Sequence, residues 1–111
     1  WSADSTRLIS SDGAYRGRIW DAAAGTMIHE LGPHPSEVSV VRFSRDGTRA
    51  MTASRLSGTV KVWNALTGAL LAAFEQDQSI GTAAFSPDGK LVVVSGQKMK
   101  TKVWDVDAEA L

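Results

Sequence analysis

The sequence contains no cysteine. That excludes a disulfide framework and any thiolate metal site, and it is compatible with the cytoplasm, where the chain is expected to reside. Histidine is nearly as scarce, with two in 111 residues, too few without cysteine to build a zinc site. No Gly-x-Ser-x-Gly setting marks an activated serine. Charge of one sign is not in excess either: 12 Lys and Arg balance 12 Asp and Glu, so no global field draws in nucleic acid or an anionic membrane. No apolar run approaches the roughly 20 residues that cross a bilayer, and neither end carries a signal-peptide pattern. The expectation from these absences is a chain without cofactor, metal or catalytic residues, and without nucleic-acid or membrane partners.

What the sequence does have is a period of about 42 residues. Trp20, Trp63 and Trp104 stand 43 and 41 positions apart, and each closes a β-branched stretch: Arg18-Ile19-Trp20-Asp21, Lys61-Val62-Trp63-Asn64 and Lys102-Val103-Trp104-Asp105. Phe43 and Phe85 are 42 apart, as are Gly47 and Gly89, and Gly25 and Gly68 are 43 apart. Trp1 falls 42 before Phe43 and is read with it as a core residue. A fixed step in this range means one supersecondary unit stacked on copies of itself.

The second unit is complete. Val38 to Phe43 is valine-rich and alternating, as a strand should be. Ser44-Arg45-Asp46-Gly47 is a hairpin in which Ser and Asp bond local backbone and Gly takes positive φ. Arg49 to Ser54, Thr59 to Trp63 and Ala69 to Phe74 follow as strands, making a four-stranded meander. The third unit repeats it with Ile80 to Phe85, the Ser86-Pro87-Asp88-Gly89 hairpin, Leu91 to Ser95 and Thr101 to Trp104. Ala22-Ala23-Ala24 and Asp107-Ala108-Glu109-Ala110 favour helix by propensity, but both occupy a strand-to-strand turn slot, and the period outranks propensity. Val92-Val93-Val94 is apolar on consecutive positions, which calls for cover on both faces.

With these elements in place, the chain resembles a run of about two and a half WD40 repeats from a β-propeller. The Trp-Asp or Trp-Asn pairs, the Ser-x-Asp-Gly hairpins, the Thr67-Gly68 turn and Gly32-Pro33-His34 carry the resemblance. It implies an all-β fold of four-stranded antiparallel blades, roughly 4 to 8 of which close a ring around a channel. On the period, residues 1–31 supply three strands of a first blade. Residues 32–74 form a complete second blade, and 75–111 a third that lacks most of its last strand. So few blades leave the ring incomplete. With Trp1 rather than Met at its start, the chain is expected to be a piece of a longer propeller.

The resemblance also implies a buried network joining the Trp, a His before the first strand, a Ser or Thr in the second, and an Asp six residues before the Trp. Those six-back positions are Ala14, Ser57 and Lys98, so the Asp is missing each time. His34 supplies the histidine of the second unit, whereas Glu75-Gln76-Asp77-Gln78-Ser79 holds none in the third. The expected network is partial: His34 with Ser54 or Thr52 and the Trp63 indole N–H. The structural anchors of the repeat are Trp20, Trp63, Trp104, Asp46, Gly47, Asp88, Gly89 and His34, with His29 a strand residue.

A protein partner would meet loops sharing one rim, since rigid scaffolds present binding residues on loops. Tyr15, Arg16, Arg55 and Leu56 are the first candidates, because aromatic and Arg side chains most often anchor interfaces. Lys98, Lys100 and Lys102 alternate toward one face, as do Arg16 and Arg18. They are read as a charged, solvated edge, with Lys98 kept as a rim candidate. The functional expectation is a non-catalytic protein-interaction scaffold. Ala- and Gly-rich repeats with short loops resemble bacterial multi-blade propellers, which implies a place in a larger regulatory or sensor protein. Two alternatives stand: a fragment that completes a ring with further copies of itself, and a propeller with a small-molecule or catalytic site in its channel.

Overall fold

The computed structural model describes residues 6–11, 15–34, 37–54, 58–75, 80–96 and 99–106. Ten strands follow in chain order: β1 (Arg7–Ser10), β2 (Gly17–Asp21), β3 (Thr26–Leu31), β4 (Val40–Phe43), β5 (Arg49–Ser54), β6 (Thr59–Asn64), β7 (Leu70–Glu75), β8 (Thr82–Phe85), β9 (Leu91–Gly96) and β10 (Met99–Asp105). Each pairs antiparallel with its sequence neighbour within three sheets, ordered β1-β2-β3, β4-β5-β6-β7 and β10-β9-β8. The architecture is all-β, with WD40-like blades that do not close a ring. No helix occurs among the described residues.

Local chemistry explains the turns. In the hairpin after β4, the Asp46 carboxylate accepts from Ser44 Oγ (2.8 Å), Thr48 N (2.9 Å) and Thr48 Oγ1 (2.8 Å). Gly47 takes φ 75° there, a region open to glycine at no steric cost. Asp88 repeats the device after β8, accepting from Ser86 Oγ (2.6 Å) and Lys90 N (3.0 Å). In the Ala22-Ala23-Ala24 segment, the Asp21 carboxylate accepts from both Ala23 N and Ala24 N at 3.0 Å. That side-chain competition holds a helix-prone triplet in a turn.

Three strands begin later than expected: β7 by one residue, at Leu70 instead of Ala69, and β4 and β8 by two. Val38 and Ile80 lie in the connections before β4 and β8, although both are buried. Their burial was legible, but a strand also needs a partner, and pairing starts at Ser39 N to Ala53 O and Gly81 N to Ser95 O. The third-unit strand expected from Thr101 starts two residues earlier, at Met99, with a register shift between Met99 and Lys102. β6, β7, β9 and β10 each run one residue past the expected end.

Directly paired residues on neighbouring strands share a face, so the register sorts each sheet into two sides. One side carries the tryptophan: Ala50, Trp63 and Leu70 form a row across β5, β6 and β7. The other carries branched aliphatics, such as Met51 opposite Val62 and Ala53 opposite Val60. One core cluster joins Ile9, Ile19 and Leu31 of the first sheet to Ala50, Trp63 and Ala65 of the second. The other joins Met51, Ala53, Val60, Val62, Ala72 and Phe74 of the second to Ala83, Val92 and Val94 of the third. The core therefore lies between sheets, the aliphatic face of one meeting the tryptophan face of the next.

Candidate functional site

A buried polar cluster is centred on Thr52. Trp63 Nε1 donates to Thr52 Oγ1 at 2.9 Å, and His34 Nε2 lies 2.6 Å from the same oxygen. All three residues are buried. Of the two hydroxyls expected to serve, Thr52 does so because it sits one row from Trp63, opposite Lys61, while Ser54 is a row further on. With Oγ1 accepting from the indole, the hydroxyl proton is free to donate to His34 Nε2, leaving the ring proton on Nδ1. That Nδ1 is buried with no partner among the described residues. Burial, with the charge of Lys61 adding to it, lowers the His34 pKa to about 4. The Lys61 ammonium itself donates to the Pro33 carbonyl at 2.7 Å. His34 is thus a buried histidine that is neutral at pH 7.

The other two tryptophans show how the unit varies. Trp20 Nε1 donates to Ser10 Oγ at 2.9 Å, and Ser10 stands 42 positions before Thr52. Position 94, 42 after Thr52, is valine, and Trp104 Nε1 is buried without a partner among the described residues. The Trp104 ring stacks instead on Phe74 of the preceding sheet, centroids 5.0 Å apart and planes 16° apart.

Two arginines that the sequence reading did not single out tie sheets together. Arg7 Nη1 donates to the Ala65 carbonyl (3.2 Å), and Arg49 Nη1 to the Gly89 carbonyl (2.9 Å). Each reaches from the aliphatic side of its sheet to a turn of the next one. The signal was available, since Arg7 and Arg49 are 42 apart. His29, read as a strand residue, lies in β3 and donates from Nε2 to the Leu66 carbonyl at 3.0 Å.

At the opposite end from the hairpins, Tyr15 and Arg16 precede β2. Tyr15 is 56% exposed, yet its backbone is braced, because its carbonyl accepts from His34 N at 2.8 Å. Arg16 is held by Glu30 at 3.1 Å. Gly32 closes the same corner at φ 151°, where an added Cβ would stand 2.7 Å from Arg16 Cγ and 3.1 Å from the Tyr15 carbonyl. The structure brings Tyr15, Arg16, Gly32 and His34 together. Arg55, Leu56 and Lys98 lie outside the described residues. Asp46, Gly47, Asp88 and Gly89 are in the hairpins at the far end. The Asp46 carboxyl is held below its usual pKa by hydrogen bonds from Thr48 and Ser44, and Asp88 by those from Ser86 and Lys90.

The family model described as WD domain, G-beta repeat matches twice, over residues 25–64 and 68–105. Each match starts with or just before the last strand of one sheet and ends with the third strand of the next, so the sequence repeat straddles two blades and ties them covalently. Among curated proteins, the chain is 32% identical over 77 residues to eukaryotic translation initiation factor 3 subunit I of Bombyx mori, covering 69% of this chain and 23% of that protein. It is 24% identical over 106 residues to pre-mRNA-splicing factor cwf17 of Schizosaccharomyces pombe, covering 96% and 31%. It is 30% identical over 114 aligned positions to human apoptotic protease-activating factor 1, covering 95% and 9%. The chain spans less than a third of the length of each of these relatives.

Proposed function

This chain belongs to the WD domain, G-beta repeat (WD40) family, and on that premise we propose that it serves as a non-catalytic protein-interaction scaffold. The observation that carries the reading is Tyr15: its side chain is largely exposed while its backbone is fixed by His34 and its neighbour Arg16 by Glu30. An aromatic side chain on a fixed backbone position loses little conformational entropy when a partner covers it, and Tyr is among the residues that most often dominate interface energy. The stacked sheets supply rigidity and the rim supplies recognition. The setting that fits is a larger cytoplasmic regulatory or sensor protein. Relatives named as a subunit of an initiation factor, a splicing factor and a protease-activating factor support a role within assemblies.

A photo-crosslinking residue at position 15, in the protein as expressed in its cell, identifies what meets the rim. Tyr15→Ala should then weaken the captured partner's affinity by about tenfold or more, as hot-spot truncations do, with thermal unfolding unchanged. An unaltered affinity would remove the rim from the binding surface.

A further inference from the structure

The joint between the first and second sheets ends at the rim in a corner that both sheets grip. Pro33-His34 lies there, between β3 and β4. From the first sheet, the Tyr15 carbonyl accepts from His34 N at 2.8 Å. From the second, the Lys61 ammonium donates to the Pro33 carbonyl at 2.7 Å, in an exposed setting. Lys61 and Tyr15, whose ring is largely exposed, therefore flank one dipeptide. The corner is internal to the stack, with a sheet on each side of it.

The cations around this corner differ in what neutralises them. Arg16 and Arg18 both lie against the Glu30 carboxylate, at 3.1 and 3.9 Å. Lys61 has no carboxylate partner among the described residues. Glu75 stands opposite Thr59, one row along the same face, and makes no ion pair with it. The Pro33 carbonyl is neutral: it fixes the ammonium through one N–H and leaves the others for a ligand. His34 beside it is neutral at pH 7 and does not offset the charge.

We propose that this corner receives an acidic segment of a protein partner, with an aspartate or glutamate carboxylate on Lys61 and an adjoining apolar side chain over the Tyr15 ring. It rests on the reading of Tyr15 as an interface residue and adds the chemistry of what that residue meets. An ammonium is a compact point charge whose donors rotate, which suits a single carboxylate. A phosphate group is better matched by the planar fork of arginine, and both arginines nearby are engaged by Glu30. Because Pro33 already holds the lysine, less side-chain freedom is lost when a partner binds. The chain has no net charge, so the attraction is local, screened beyond about 8 Å at physiological salt.

The test selects peptides from a random library displayed on phage against the full 111-residue chain. Enriched peptides are then measured by fluorescence anisotropy, and those that lose binding to Tyr15→Ala report the rim. These should carry aspartate or glutamate well above the library frequency. Exchanging that residue for asparagine or glutamine should weaken them by about tenfold, as loss of a charge-assisted hydrogen bond does. Lys61→Met, which keeps the aliphatic stem, should weaken them equally, with no further loss when the two changes are combined. Affinity for the unaltered chain should fall severalfold between about 50 and 500 mM salt. Lys61→Met should flatten that dependence, which loss of the Pro33 contact alone would not do. Circular dichroism shows that each variant is folded, and the peptide-side exchange decides the matter were Lys61→Met to misfold. Tyr15-dependent peptides without acidic residues, or bound equally well by folded Lys61→Met, overturn the acidic partner and leave the rim reading standing. A library that yields no Tyr15-dependent peptide overturns both.

Discussion

Val94 occupies beside Trp104 the register position that Thr52 occupies beside Trp63: Val94 pairs with Lys102 as Thr52 pairs with Lys61. The exchange of a hydroxyl for a methyl turns one buried indole N–H from bonded to unpartnered among the described residues. A buried donor left unpaired is unfavourable by about 1–3 kcal/mol. The third sheet carries that deficit and offsets part of it with the Phe74–Trp104 stack, a type of contact that contributes about 0.5–1.5 kcal/mol.

Val94→Thr should therefore stabilise the chain, by about 1 kcal/mol, the net contribution of one hydrogen bond. Valine and threonine have nearly the same shape, so packing changes little. Urea denaturation gives the number, and a lower midpoint for the variant would show that the hydroxyl does not reach the indole.

The reverse exchange at Thr52 should be harmful. Thr52→Val removes the only described partner of Trp63 Nε1 and of His34 Nε2, with an expected loss of about 2–3 kcal/mol. Trp63→Ala should lose about 3–5 kcal/mol, as large-to-small core changes do. A loss well under 1 kcal/mol for Trp63→Ala in chemical denaturation would mean that the core is not centred on the sheet interfaces.

Stability should also depend on pH through His34. Its folded pKa of about 4 lies below the unfolded value of 6.5, so the unfolded chain binds more protons between those limits. The contribution of neutral His34 is fully present above pH 6.5 and is lost as pH falls toward 4, amounting to about 3 kcal/mol across the window. Asp46 acts in a separate range: its depressed pKa removes stability only when pH falls below the usual carboxylate range. Melting temperatures between pH 7 and 4 should fall for the unaltered chain and stay flatter for His34→Gln. Parallel curves would assign the acid sensitivity to another group.

Arg49 should matter beyond its charge. Its guanidinium joins the second sheet to the third through the Gly89 carbonyl, and Arg49→Met keeps the aliphatic stem while removing that bond. The expected loss is about 1.5–3 kcal/mol, the range for hydrogen bonds to charged groups. Calorimetry with unchanged circular dichroism would locate the effect between sheets, and an unchanged melting temperature would show the clamp to be without weight.

Much of the fold was legible in the sequence because its determinants are local. Asp46 and Gly47 specify a hairpin through hydrogen bonds within three residues and one positive φ, and the same chemistry recurs at Asp88 and Gly89. Successive side chains of a strand go to opposite faces, which is why Met51 and Thr52, and Val62 and Trp63, lie on opposite sides of the second sheet. The recurrence of tryptophan set the period. Strand starts were less legible, because Val38 and Ile80 are apolar for burial and not for pairing.

By itself, then, the sequence determined the repeat, the all-β class, the turns and the tryptophan phase, all properties of the backbone within a few residues or of a pattern along it. Tertiary structure alone decided which hydroxyl meets the Trp63 indole, that the Trp104 indole meets none, and that Arg7 and Arg49 cross to the next sheet. Those outcomes depend on the spacing and registration of separate sheets, where a side chain's environment comes from residues tens of positions away.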